Sequence, residues 1–152
     1  MLSPFLQTLI MAMTPVVELR GAIPFGLALG LDPLTCYLAA VIGNCIPVPF
    51  IILFIKHIFQ LMRKMSPKFG ALVDKLEKRA DEKSDVVQKY ALWGLVILVA
   101  IPLPGTGAWT GSLVAALMNV PLRKSGPACV LGVLIAGAAV MAISTGVIAI
   151  VT

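Results

Sequence analysis

The sequence predicts an all-α integral membrane protein built from two inverted repeats, each a re-entrant helical hairpin followed by a full transmembrane helix. A cytoplasmic amphipathic helix is expected to join them. Three observations carry this expectation. The chain is 59% hydrophobic and 12% charged, and nearly all the charge lies between Lys56 and Lys89, so two long apolar blocks flank one polar stretch. Each block is broken by prolines and glycines that leave arms too short to span a bilayer. If those broken segments turn back, every lysine and arginine except Arg20 falls on one face.

The first break is Thr14-Pro15-Val16-Val17-Glu18-Leu19-Arg20-Gly21-Ala22-Ile23-Pro24. Pro15 and Pro24 remove backbone donors, and Gly21 permits unusual dihedrals. Burying a charge in a bilayer costs roughly 2.5–3.5 kcal/mol on insertion scales, so Glu18 and Arg20 are candidate functional residues. Irregular backbone at membrane depth persists only where protein or a wet cavity surrounds it. The arms, residues 3–13 and 22–31, are each about eleven residues, or roughly 16 Å as helix. That is about half of a ~30 Å hydrocarbon core. Asp32-Pro33 punctuates, and Leu34–Phe59 reads as a full span, kinked or interrupted by Pro47 and Pro49, with Asn44 as an interior polar group.

Residues 60–90 are polar with a helical apolar stripe. Phe69, Leu72, Val73, Leu76, Ala80, Val87 and Tyr90 recur at roughly helical spacing between lysines, arginines and acids. The stretch is expected to lie on the membrane surface, with its charges solvated. His57 has no second histidine to share a metal and is expected at the interface.

The second block repeats the first. Ala91–Ile101 is one arm, Pro102-Leu103-Pro104-Gly105-Thr106-Gly107 the break, and Ala108–Met118 the return arm. Asn119–Lys124 is polar, and Ser125–Val151 is a span. Gly21-Ala22 aligns with Gly107-Ala108, Pro33-Leu34 with Pro121-Leu122, and Val41-Ile42-Gly43 with Val130-Leu131-Gly132, at offsets that drift from 86 to 89. The chain therefore divides into repeat one (1–59), linker (60–90) and repeat two (91–152). Because each repeat crosses the bilayer once, the second must be inverted. The basic residues place the linker in the cytoplasm and both termini outside.

Paired Gly/Pro-interrupted segments in two halves point to a transport site at the midplane. The expected site combines Glu18, Arg20, Gly21 and Pro24 with Pro104, Gly105, Thr106, Gly107 and Thr110. Arg20 has the planar fork that suits phosphate or carboxylate. A partly desolvated Glu18 is placed to carry a proton, the expected basis of proton coupling. Alternatively, the two form an ion pair that only holds the hairpin tip. Thr106, Thr110 and Ser112 offer hydroxyls, half-helix N-termini add donors, and Trp109 is expected to pack.

The glycine-rich break lacks the lysine of a nucleotide-binding loop. The net charge of +5 follows membrane topology and does not suggest nucleic acid. Cys36, Cys45 and Cys129 lack metal-ligand spacing and read as core residues. No cleavable signal peptide, cofactor or metal is expected. An intramembrane lipid-modifying enzyme would need a nucleophile–base or paired-acid arrangement that the chain does not offer, so an enzyme is not expected. A non-transporting assembly or scaffold protein is the other alternative. A single chain can hold the site. Equally, the small residues Gly132, Ala136, Gly137, Ala138 and Ala139 allow close contact in a homodimer.

The stretches Glu18–Pro24 and Pro102–Ser112 resemble the bacterial and archaeal small multidrug export protein family. The resemblance covers nearly the whole chain and implies a membrane exporter. More loosely, the double-hairpin plan is similar to the DedA/VTT lipid-transporter superfamily, which implies amphipathic or lipid-phosphate substrates. Thr106 stands where those proteins often carry an acid, so only Glu18 and Arg20 correspond to their charged sets.

Overall fold

The computed structural model describes residues 1–81, 84–103 and 106–152, apart from the side chains of residues 69, 73, 76–77, 79–81 and 84–88. The described residues form α-helices and no strand: α1 (Pro4–Met13), α2 (Glu18–Ala28), α3 (Pro33–Cys45), α4 (Pro47–Met65), α5 (Pro67–Asp81), α6 (Ser84–Ala100), α7 (Ala108–Leu117) and α8 (Leu122–Val151).

The punctuation in the sequence accounts for most boundaries. Ser3 caps α1 by accepting from the Leu6 amide, and Pro4 occupies the first helical position, where a missing N–H costs nothing. Helix α1 stops at Thr14, because a residue before proline avoids helical dihedrals. Asp32 caps α3 by accepting from Thr35 N at 3.0 Å. That hydrogen bond also holds the exposed carboxyl of Asp32 below its ordinary pKa.

Both return arms end in the same way. Gly30 has φ +88° and Asn119 has φ +53°. Leu31 N bonds Gly26 O and Gly30 N bonds Leu27 O, while Val120 N bonds Ala115 O and Asn119 N bonds Ala116 O. This is a Schellman cap in each case, with the left-handed position filled by glycine once and by asparagine once.

Two helical stretches are long and apolar enough to cross a bilayer, Pro33–Met65 (33 residues) and Leu122–Val151 (30 residues). The expected interruption by Pro47 and Pro49 shrinks to one position. Ile46 keeps helical dihedrals (φ −58°, ψ −46°), so α4 continues the line of α3. Proline in the first turn of α4 removes amides that would otherwise bond α3, without forcing the chain out of helical space.

The linker boundaries differ from expectation. Helix α4 runs on to Met65, Ser66-Pro67 breaks it, and α6 begins at Ser84, so both ends of 60–90 belong to neighbouring helices. Arg63 Nη2 meets Asp74 Oδ1 at 2.9 Å and ties α5 to the end of α4. Leu72 and Tyr90 of the expected apolar stripe are exposed. Phe69, Val73, Leu76, Ala80 and Val87 lie outside the described side chains.

The core mixes branched side chains such as Leu19, Ile23, Ile52 and Leu95 with small residues that let helices approach closely, including Ala12, Ala22, Ala39, Ala40, Ala108 and Ala115, each 0% exposed. One contact recurs in both halves. A Cβ on Gly43 would overlap the Leu9 carbonyl and crowd Ala12, and one on Gly132 would lie 3.0 Å from the Val96 carbonyl and crowd Val99. Thus α3 packs on α1 as α8 packs on α6, with a glycine at the crossing each time. Between α1 and α3 lies α2, whose Gly26 faces Thr8 and Cys36. Of the small residues of α8, Gly132, Ala136 and Gly137 are buried inside the chain, Gly137 against Tyr37 and Val41, while Ala138 is exposed and Ala139 half-buried. Cys36 and Cys129 are buried core residues. Asn44 is 1% exposed, and its Oδ1 has no hydrogen-bond partner.

Candidate functional site

Two helices that stop in the interior leave four sets of unpaired backbone groups: carbonyls at the ends of α1 and α6, and amides at the starts of α2 and α7. The structure brings the breaks together so that each supplies partners for the other.

Helix α7 begins at Gly107, whose φ is +148° and which has no side chain to cap the helix. Glu18 takes that role from the other break. Its Oε1 accepts from Trp109 N at 3.2 Å. The carboxylate lies so close to Gly107 that any Cβ there would overlap Oε2. Glu18 is 5% exposed and itself sits at φ +49°, in the left-handed region. Such a conformation costs a non-glycine residue roughly 1–3 kcal/mol and survives only where the surroundings enforce it. Here a negative group is delivered to the positive end of a helix dipole, which offsets part of that cost.

Arg20 serves the opposite pole. Its Nη2 donates to Ile101 O at 3.0 Å and to Thr106 Oγ1 at 2.9 Å, and its Nη1 donates to Leu103 O. Ile101 and Leu103 lie just beyond α6, where proline at 102 ends the helix and strips carbonyls of their amide partners. Thr106 Oγ1 in turn reaches Ile101 O and Leu103 O at 2.8 and 2.9 Å, sharing one proton between them. Arg20 Nε is buried without a partner. The return contact comes from Trp109, whose indole Nε1 donates to Met13 O, the last residue of α1, at 3.1 Å. The indole is therefore a cap as well as packing.

Glu18 and Arg20 do not form an ion pair within 4 Å, as Arg63 and Asp74 do. Each charge is bonded across to the second break instead. The ion-pair expectation fails because two residues of helix separate the side chains by more than half a turn, and each has helix-end groups nearer to hand.

A cavity of about 460 Å³ opens between the breaks, lined by Pro15, Val16, Val17, Glu18, Arg20, Pro102, Thr106 and Thr110. Of the expected site residues, it gathers Glu18, Arg20, Thr106 and Thr110, with Gly107 directly behind the Glu18 carboxylate. Gly21 and Pro24 are not part of its wall. Gly21 lets Val17 pack against α2, and Pro24 lies inside α2 on its exposed side. Ser112 is fully buried and donates within its own helix to Ala108 O. Pro104 and Gly105 lie outside the described residues. Sequence reasoning does not single out Pro15, Val16, Val17 and Pro102 as lining. Nor does it find the Ile101, Leu103 and Met13 carbonyls, although a helix that ends before proline in an apolar setting announces a need for donors.

Among the described residues the chain is all helical, with two helices long and apolar enough to cross a bilayer, and these features fit a helical membrane protein. Residues 18–149 match the family described as "Putative small multi-drug export protein", and the chain belongs to that family. The family description is that of an exporter and not of an enzyme. No curated protein and no solved structure matches the chain.

Proposed function

We propose that this protein exports small amphipathic or anionic molecules, lipid phosphates or drugs among them, through a site at the membrane midplane where the two breaks meet. The observation that carries the reading is the cavity of about 460 Å³ with an acid and an arginine on its wall. Its size falls within the ~300–1,000 Å³ range of small-molecule sites.

The membrane arrangement in this proposal is two inverted repeats, each a re-entrant hairpin and one span. The repeated glycine crossing and the repeated Schellman caps support the repeat. The lengths of α1, α2 and α7, at 10, 11 and 10 residues, suit half-membrane arms. In this arrangement the linker is cytoplasmic and both termini are external. Thiol tagging that finds Thr152 in the cytoplasm overturns it.

The clasp suggests how binding couples to movement. The Arg20 fork is occupied by carbonyls of the second break, so an anionic substrate must compete for it. Taking Arg20 away frees the end of α6. Protonating Glu18 removes the charge that caps α7 and frees the other arm. A ligand shifts such an equilibrium only through differential contacts with its two states, and here those contacts are the caps themselves.

The test is flux of a fluorescent amphipathic anion from proteoliposomes, measured with thermal stability. Arg20→Lys retains a charge that can bond one carbonyl but lacks the two-pronged fork. It is expected to fold and to lose at least ~10-fold in flux, the effect of about 1.4 kcal/mol. Full flux in a stable Arg20→Lys protein overturns the assignment.

A further inference from the structure

The first span is one line of helix made of two halves, and the halves hold different parts of the clasp. Helix α3 packs on α1 and α2, the two arms of the first hairpin. Helix α4 packs on α7, whose most extensive packing is on α4 in return. The boundary between the halves is Ile46, followed by Pro47 and Pro49. Proline has no amide to give, so the carbonyls of Gly43 and Cys45 lack the helical donors that residues 47 and 49 would otherwise supply. Gly43 packs on Leu9 and Ala12 near the end of α1, which sets this weakened stretch level with the first break. Within it Asn44 is 1% exposed, and its Oδ1 has no partner. An unpaired buried acceptor counts against the form that buries it. The straight joint therefore forgoes hydrogen bonds at Gly43, Asn44 and Cys45 together.

Helix α8, by contrast, touches both halves and passes the joint as one unbroken helix. We infer that the joint at Ile46 is the hinge on which the clasp opens: α4 swings and carries α7, while α1, α2 and α3 stay together against α8. Prolines are the usual place for a helix to bend, and hinges are a few residues at the ends of elements. The swing withdraws the Trp109 amide from Glu18 and the indole from the Met13 carbonyl. Arg20 can keep its hold on the end of α6, because α6 packs chiefly on α8. The purpose of the movement rests on the exporter reading, but the movement itself is measurable without cargo.

The test is amide hydrogen exchange, read by NMR on the full chain in detergent micelles with no cargo present. The Trp109 amide is bonded to Glu18, so its exchange reports opening of the clasp. Pro47→Ala with Pro49→Ala restores both helical donors and should slow Trp109 exchange by about 10-fold or more. Asn44→Leu removes the unpaired acceptor and should slow it several-fold. Pro127→Ala mends the proline inside α8 and should leave Trp109 at the parent rate. Amides in the middle of α8, such as those of Val133 and Ala136, should keep their rates in every variant. Unchanged Trp109 exchange in both the double alanine and the Asn44→Leu proteins overturns the hinge. So does a slowing shared equally by Trp109 and the α8 amides, which would mean general stabilisation. None of these rates depends on flux, so the hinge and the exporter reading can fail separately.

Discussion

The two helix breaks solve the same problem with opposite chemistry. The first, between α1 and α2, contributes the charges: Glu18 and Arg20 project from one short segment. The second, between α6 and α7, contributes bare helix ends: the carbonyls of Ile101 and Leu103, the Trp109 amide, and a glycine N-cap that offers no side chain. An acid alone would be costly inside a membrane protein, and so would unpaired helix ends. Set against each other, each supplies what the other lacks. A Glu and an Arg two residues apart therefore need not pair with one another. They can hold two different helices by their opposite poles.

The glycines of the two breaks should differ most. At Gly107 a Cβ would overlap the Glu18 carboxylate, and the backbone is in a region that only glycine adopts readily. Gly107→Ala is therefore expected to lower stability by about 3 kcal/mol. At Gly21 the overlap is with one Val17 methyl, which can rotate, and alanine is the better helix former. Gly21→Ala should stay within about 1 kcal/mol of the parent protein. Thermal unfolding in detergent measures both, and equal losses would contradict the asymmetry between the breaks.

A double-mutant cycle on Glu18 and Arg20 asks whether the first break works on its own or only through the second. Each single glutamine variant should lose roughly 1–3 kcal/mol, the worth of a charge-assisted cap. Since the two charges cap different helices, the double variant should lose nearly the sum, with a coupling below about 1 kcal/mol. Were they a buried ion pair, removing both would largely restore what removing one had cost, about 3–5 kcal/mol. Recovery of stability in the double variant would sink the clasp.

A more modest change is expected at the contact that runs from the second break back to the first. Trp109→Phe keeps the ring but loses the donor to the Met13 carbonyl, and should cost about 1 kcal/mol. If Trp109→Phe leaves the melting temperature unchanged, the indole is only packing and the clasp runs in one direction.

Much of this fold is legible in the sequence. Proline at 15, 33, 102 and 121, with Asp32, marks helix limits to within a few residues, because these effects are local and steric. The spacing of charge against apolar blocks marks the membrane class. The alignment of Gly43 with Gly132 points to two equivalent helix crossings. Less can be read where proline sits in the first turn of a helix: Pro47 and Pro49 resemble breaks yet leave α3 and α4 in line. The linker limits are also hidden, since α4 and α6 draw their ends from polar sequence.

Periodicity and backbone restrictions act over a few residues. They are enough to establish that two interrupted apolar segments exist and that one carries a glutamate and an arginine. What those charges bond is a matter of packing. Glu18 lies 91 positions from Trp109, and Arg20 lies 83 from Leu103. Contacts over such separations depend on how the helices come together, and the lowest-energy partner is whichever unpaired group that arrangement brings within reach. Here helix ends are nearer than the neighbouring charge, and the result is a clasp between the breaks, a partnership that neither the transport reading nor the ion-pair alternative drawn from the sequence contains.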